Sequence, residues 1–299
     1  MGRPFHNRPH EYIWAFECLA SLPSKTPHDY ASAARSRYDD FTAAHIVKML
    51  SIHFSGWFLP WHREYHAYLP VKENPLFDGT NTSLSGNGVY VPHKASHITA
   101  FGNATLNACL PPGTGGGCVY AGSFTYPAWQ QHLRPVSDLA GENGRVSPVP
   151  DGLDFNPRCV KRDVNNTLLQ MANSHQNITD LIINSSNIRT FHPNLENQTS
   201  GPHANGRLAI GGVESDLFSS PGDPIFFMHY SMVDRLWSIW QSLDFESRTL
   251  AMDGTTWMAT PSVPNVMIED TLTYSPAFPN TTIRDVMSPT SKHYCYIYV

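Results

Sequence analysis

The chain has 299 residues, enough for one large domain or two small ones, and 41% of them are hydrophobic, which excludes wholesale disorder. Charged residues make up only 15%, and 20 basic against 25 acidic side chains give a net charge of −5, so the field that a nucleic-acid partner needs is missing. No apolar run approaches the roughly 20 residues of a membrane span, and 24 prolines predict long ordered loops between elements.

Residues 9–22 are predicted helical, with Tyr12, Phe16 and Leu19 on one face and Pro23 as the stop. Residues 37–55 form the next predicted helix. Ser36 stands at its N-cap with Asp39 three residues on, the spacing of a capping box, and the buried stripe runs Tyr38, Phe41, His45, Met49, Ile52/His53. Gly56 ends it, and Pro60-Trp61 opens a third helix, since proline suits a first turn. Residues 70–160, rich in Pro, Gly, Asn and Thr, read as long loops with short strands at best. Helices are predicted over 160–175 and 177–187. The clearest periodicity lies in 223–243, with Asp223 as cap, Pro224 at the first position and Phe226, His229, Met232/Val233, Leu236 and Trp240 on the inner face. The tail, 249–299, reads as loop and strand. The fold class is mainly α, in one domain over 1–299.

The chain holds 15 histidines, and several fall on predicted helices. His45 and His53 are eight residues apart, a little over two turns, so both face one way. His62 follows on the next helix, and two helices can bring three imidazoles to one point, a donor set that suits copper or zinc. Downstream, His203 precedes a glycine-rich turn and His229 lies on the inner face of the 223–243 helix; two histidines alone make a thin site. His93 and His97 have ligand spacing, but in a loop-like, proline-flanked stretch.

Seven Asn-x-Ser/Thr acceptors, at Asn81, Asn103, Asn165, Asn177, Asn184, Asn197 and Asn280, favour a secretory-pathway protein whose leader is not part of this sequence. Of five cysteines, Cys109 and Cys118 flank a Pro-Pro-Gly-Thr-Gly-Gly-Gly loop that can turn back and let them pair; Cys18, Cys159 and Cys295 complete the set.

These residues carry a resemblance. His53-x8-His62 within Phe58-Leu-Pro-Trp-His-Arg63 resembles the first copper motif of tyrosinases, catechol oxidases and hemocyanins. Ser219-Ser-Pro-Gly-Asp-Pro-Ile-Phe-Phe-Met-His229, followed by Asp234-Arg-Leu-Trp237, resembles the second. His203-Ala-Asn-Gly-Arg-Leu-Ala-Ile-Gly-Gly212 resembles the stretch that supplies the rest of that second site, and Tyr296-x-Tyr298 is similar to the tyrosine motif that closes the family's core domain. The match is to short fungal tyrosinase-like proteins and runs over nearly the whole chain. It implies a helical bundle that holds two metals by three histidines each, and dioxygen-dependent oxidation of a small phenol or catechol. Carried over, His45, His53 and His62 hold the first ion and His203 and His229 the second. Phe226 stands beside them, and Glu196 falls near the family's water-orienting acid.

The departures matter as much. One more histidine is expected four residues after His203, where this chain has Arg207. A guanidinium offers no lone pair and stays charged. Beside a divalent ion at ~4 Å and an effective dielectric of ~20, each unit charge costs on the order of 4 kcal/mol. The second site is expected to be impaired, unless Arg207 turns to solvent and water or His192 completes the set. Tyr230 stands where a second histidine usually follows His229, and Ala204 replaces an asparagine linked to monophenol activation. The segment after Leu69 is short by about a helix and a loop relative to the family, which would remove the partner of one cysteine, Cys18. The resemblance therefore implies a copper oxidase of small aromatics with a weakened second site. Its alternatives are a one-metal zinc lyase like the fungal cyclopenases, which are hemocyanin-like, or an inactive homologue.

Overall fold

Ser36 and Asp39 cap each other as the sequence requires. The Ser36 side chain accepts from the Asp39 N–H, the Asp39 carboxylate accepts from the Ser36 N–H, and the helix that follows is almost wholly buried. In the computed structural model, which describes residues 8–67, 83–98, 108–133, 153–198, 200–258, 262–291 and 294–298, this helix is α2 (Arg37–Ile52). It follows α1 (Arg8–Ser21), whose Phe16 is fully buried edge-on to Tyr38. Helix α3 (Phe58–Ala67) comes next.

The proline- and glycine-rich stretch forms only short antiparallel pairs. Strand β1 (Gly88–Tyr90) pairs with β4 (Gly116–Val119), β2 (Ser96–Ile98) with β3 (Ala108–Leu110), and β5 (Gln131–Leu133) with β6 (Phe155–Arg158). Helices α4 (Asn166–Ala172), α5 (His175–Asn184), α6 (Ile188–Leu195) and α7 (Pro202–Ile210) lead through short 3₁₀ turns to α8 (Ile225–Ser242). Helix α9 (Phe245–Arg248), the pair β7 (Thr271–Leu272) and β8 (Thr281–Thr282), and α10 (Ile283–Val286) follow. The predicted fold class, a mainly helical bundle with long loops and few short strands, is the fold observed. No helix among the described residues is long and apolar enough to cross a membrane.

Helix α8 packs against α3 and α7, and its Phe227 and Trp240 are fully buried. The main core joins them to Phe16, Phe41, Phe58 and Tyr65. Two buried ion pairs fix the frame. Arg162 grips both oxygens of Asp223 (2.8 and 2.7 Å) and donates to the carbonyls of Leu84, Ser85 and Gly86. The same Asp223, one residue before the N-cap Pro224 and so not itself the predicted cap, accepts from the Ile225 N–H at the start of α8. Arg63, next to His62, bonds Asp234 at 2.5 Å and lies over the Trp237 ring at 3.8 Å.

Four expectations need correction. The helix predicted over 160–175 begins only at Asn166, because the backbone of Asp163 and Asn165 pairs with Ile210 and Ala209 while Arg162 reaches inward. The helix predicted to reach residue 55 ends at Ile52. His53 is extended (φ −118°, ψ 147°), and Phe54 has φ 50°, held there by its N–H donating to the Glu196 carboxylate. Cys118 pairs with Cys159, 41 residues on, not with Cys109; β4 and the bridge between Cys118 and Lys161 bring those chains together. Cys18 and Cys295 are free thiols. Finally, Asn165 is buried and its side chain caps α4, so it is no glycan acceptor; Asn177, Asn184, Asn197 and Asn280 are exposed. The shortened segment after Leu69, with Asn81 and Asn103, lies outside the described residues.

Candidate metal centre

Each histidine of the first group is oriented by a backbone carbonyl, which can only accept, so the ring nitrogen facing it must carry the proton. His45 Nδ1 donates to Phe218 O (2.7 Å), His53 Nδ1 to Met49 O (3.2 Å) and His62 Nδ1 to Phe58 O (2.8 Å). In all three the Nε2 lone pair is therefore left for another partner, the way metal-bound imidazoles are set by their outer contacts. Helix α2 supplies His45, its C-terminal end His53 and α3 His62. One ligand atom from each lies within 4.8 Å of the others, and all three residues are buried. Ring centroids are 5.0 to 5.9 Å apart. His45 Nε2 has no hydrogen-bond partner. A buried lone pair without a partner is costly, and three ring nitrogens drawn together within 4.8 Å fit a single divalent ion.

Electrostatics agree that these rings are neutral. Burial holds the His45 pKa down at about 3, with the Arg207 charge adding to the fall and the Phe218 and Asp216 contacts opposing it. Burial also pushes His53 and His62 well below the ordinary histidine range. His229 is likewise held at about 3, by burial and then by Arg207. This predicts a pH dependence. An unfolded histidine titrates near ~6.5, so between pH 6.5 and 3 the unfolded chain binds protons that the folded one does not. Stability then rises with pH, by up to about 1.4 kcal/mol per pH unit for each such ring. Chelator-treated protein should lose several kcal/mol between pH 7 and pH 5 in urea unfolding; equal midpoints at the two values would contradict these buried neutral rings.

The second group is differently placed. His203, on α7, puts its Nε2 at 2.8 Å from the Tyr230 hydroxyl, and its Nδ1 has no partner. His229, on α8, has an unpartnered Nε2, and its ring packs against Gly206, where an added Cβ would meet Cε1 at 2.7 Å. These two rings stand 5.5 Å apart, and no third His, Cys, Asp or Glu joins them in a ligand group among the described residues. Arg207 is buried, at 2% exposure, and does not turn to solvent. It donates to the carbonyls of Glu214 (3.0 Å) and Asp216 (2.9 Å) and lies 3.8 Å from the Glu214 carboxylate. His192 does not complete the set either, since its Nε2 bonds Glu196 at 2.7 Å. The first group offers three donors to one ion; the other offers two histidines, with a buried guanidinium in place of a third.

Sequence reasoning flagged Tyr230 only as a departure. Its hydroxyl lies 3.0 Å from His53 Nε2 and 2.8 Å from His203 Nε2, and its ring stacks on His62 at 4.1 Å. Phe226 is fully buried and walls the group, 5.2 Å from His45 and 4.3 Å from Tyr230 between ring centres. Glu196 is buried, which raises its pKa against the pull of His192, and it anchors the Phe54 backbone, one residue past His53. His93 bonds Val91 O and Asp163, and the side chain of His97 lies outside the described residues. A cavity of about 730 Å³, within the range of small-molecule sites, opens beside Phe54, His192, Glu196, Asp253 and Thr255.

Comparison with known proteins comes to the same place. A family profile described as the common central domain of tyrosinase matches residues 68–243. The tyrosinase-like protein orsC of Emericella nidulans is 42% identical over 277 residues, covering 82% of this chain and 73% of its own. Tyrosinase P of Aspergillus terreus is 35% identical, covering 96% and 87%. The solved structure of a variant polyphenol oxidase from Thermothelomyces thermophila is similar with a TM-score of 0.87 at 32% identity, over all of this chain and 87% of that one.

Proposed function

The chain belongs to the tyrosinase family, and we propose that it is a copper-dependent oxidase of a small phenolic or catecholic molecule that works with one ion in place of the family's two. The observation that carries this reading is the contrast between the groups: His45, His53 and His62 bring three ligand atoms together, while His203 and His229, 5.5 Å apart between ring centres, have no third ligand group with them among the described residues. The names of its relatives, tyrosinase and polyphenol oxidase, support the phenolic substrate class. His45, His53 and His62 would hold the ion, which supplies an electron relay between a phenol and dioxygen.

The chain's own residues do the rest. Phe226 and the ring of Tyr230 exclude water from the group. The cavity beside Phe54 seats the aromatic substrate, with Glu196 and His192 as the polar groups at its wall. Glu196 also keeps Phe54 in its left-handed conformation, which sets His53 at the end of α2. A catechol that becomes a quinone gives up two electrons and two protons. With one ion per chain, one dioxygen takes them up and leaves as hydrogen peroxide. Reduction of dioxygen to water would instead consume four electrons and four protons, from two catechols, and would call for a second ion. The expected result is one metal per chain by elemental analysis, and one peroxide per quinone in an oxygen-electrode assay. Two coppers per chain, or a ratio of one dioxygen to two quinones without peroxide, overturns the reading.

A second reading has its own support. Three neutral histidines around one ion also suit zinc acting as a Lewis acid, as in a lyase. Zinc-loaded protein that converts an aromatic substrate under argon selects it over the oxidase. The exposed acceptors Asn177, Asn184, Asn197 and Asn280, with the Cys118–Cys159 disulfide, support a secretory-pathway location.

A further inference from the structure

We propose that Tyr230 and Arg207 together stand in for a second ion, the phenol as a bridge between the two histidine groups and the guanidinium as the fixed charge beside it, so that these two residues set the metal count at one. The inference rests on the one-ion reading above and goes beyond it by naming what fills the place.

The hydroxyl of Tyr230 has one hydrogen and two claimants, His53 Nε2 at 3.0 Å and His203 Nε2 at 2.8 Å. An ion on His53 Nε2 uses that lone pair, and the phenol can then donate only to His203. His203 Nε2 is thereby tied to a protein hydroxyl, and this nitrogen is no longer open to a second ion. The tie is rigid. Tyr230 is 1% exposed, stacked on His62 and packed against Phe226.

Arg207 completes the substitution. It sits one turn of α7 after His203, and its charge acts on all five rings: His45, His53, His62, His203 and His229. Its hydrogens go to the Glu214 and Asp216 carbonyls, which hold the guanidinium inside the protein. The Glu214 carboxylate at 3.8 Å is the nearby counter-charge. A second cation would have to enter beside an immobile positive group with no outlet to solvent. Removing that charge alone leaves the phenol in place; removing the phenol alone leaves the charge.

The test reads copper per chain by elemental analysis and unpaired spins per copper by electron paramagnetic resonance, since a lone cupric ion carries one spin and a coupled pair loses its signal. Copper-reconstituted wild type is expected to hold one copper with one spin. Arg207→His alone is expected to stay at one. The double variant Arg207→His with Tyr230→His, in which an imidazole replaces the hydroxyl facing His203, is expected to double the copper content while the spin per copper falls. A folded double variant that holds one copper overturns the inference, and so does a single Arg207→His variant that already holds two. If the double variant does not fold, Tyr230→Phe decides. It should keep one copper with an altered spectrum, because the hydroxyl beside His53 is gone; an unchanged spectrum overturns the inference. Wild type holding two coppers would instead overturn the one-ion reading itself, so the two failures are told apart by the first sample.

Discussion

Replacing His45 by alanine is expected to abolish metal binding, whereas the same replacement at His229 leaves it intact. The pair is well matched. Both residues are histidines of the two longest helices, both are held neutral by burial with a pKa of about 3, and both have an unpartnered buried Nε2. Truncating either leaves a comparable cavity, so a loss of stability on the order of 2–5 kcal/mol is expected for each. They differ in company. His45 belongs to the group of three whose ligand atoms lie within 4.8 Å of one another, whereas His229 has its Cε1–Nδ1 edge against Gly206 on α7 and only His203 beside it as a further ligand. Loss of an outer-shell partner alone weakens metal affinity by ~10–100-fold, and loss of a ligand from a set of three exceeds that. Isothermal titration of chelator-treated protein with cupric ion checks it. Equal loss in both variants would mean that the ion sits between the groups, contrary to the convergence described.

The first group was legible in the sequence because local rules place it. A capping box fixes the start of α2 and so the inward face that carries His45, the helix stops at Ile52 with His53 as its extended C-cap, and Pro60 lies in the first turn of α3 just before His62. Of the second, His229 was legible in the periodicity of α8, but the helix that carries His203 was not, because long-range packing places it. Helix α7 reads as a turn, with Pro202, Asn205 and Gly206 in nine residues, yet Gly206 is there so that the helix can lie against His229. Pro193 hid α6 in the same way. Residues 160–165 have helical composition but serve as an extended seam, because Arg162 must reach Asp223, 61 residues on. The partner of Cys118 could not be found from spacing for the same reason. Tyr230 was visible as a substitution, but its reach to both His53 and His203 depends on how α8 is set against α2, α3 and α7, which no local pattern encodes.

That setting depends on one carboxylate, and Asp234→Ala is expected to cost about 3–5 kcal/mol. Asp234 Oδ1 takes the Nε–H of Arg63 at 2.5 Å, and Oδ2 accepts from the hydroxyls of Tyr296 (2.8 Å) and Tyr298 (2.5 Å), the tyrosine pair that the sequence singled out near the end of the chain. Arg63 is 1% exposed and also holds Met287 O, Ser238 and Gln241, so it cannot follow its lost partner into water. Alanine thus leaves a buried charge uncompensated and two phenols without their acceptor, and a buried ion missing its partner is the expensive case. Asp234→Asn keeps an acceptor without the charge and should cost less. The control is Arg284→Ala, which breaks an exposed pair with Glu269 and should leave the unfolding midpoint nearly unchanged. Urea unfolding of the three variants at pH 7 ranks them. Because Arg63 follows His62 directly in α3, the same substitution should weaken metal affinity along with stability. An Asp234→Ala variant within 1 kcal/mol of wild type would show that α3 and α8 are held together without this ion pair.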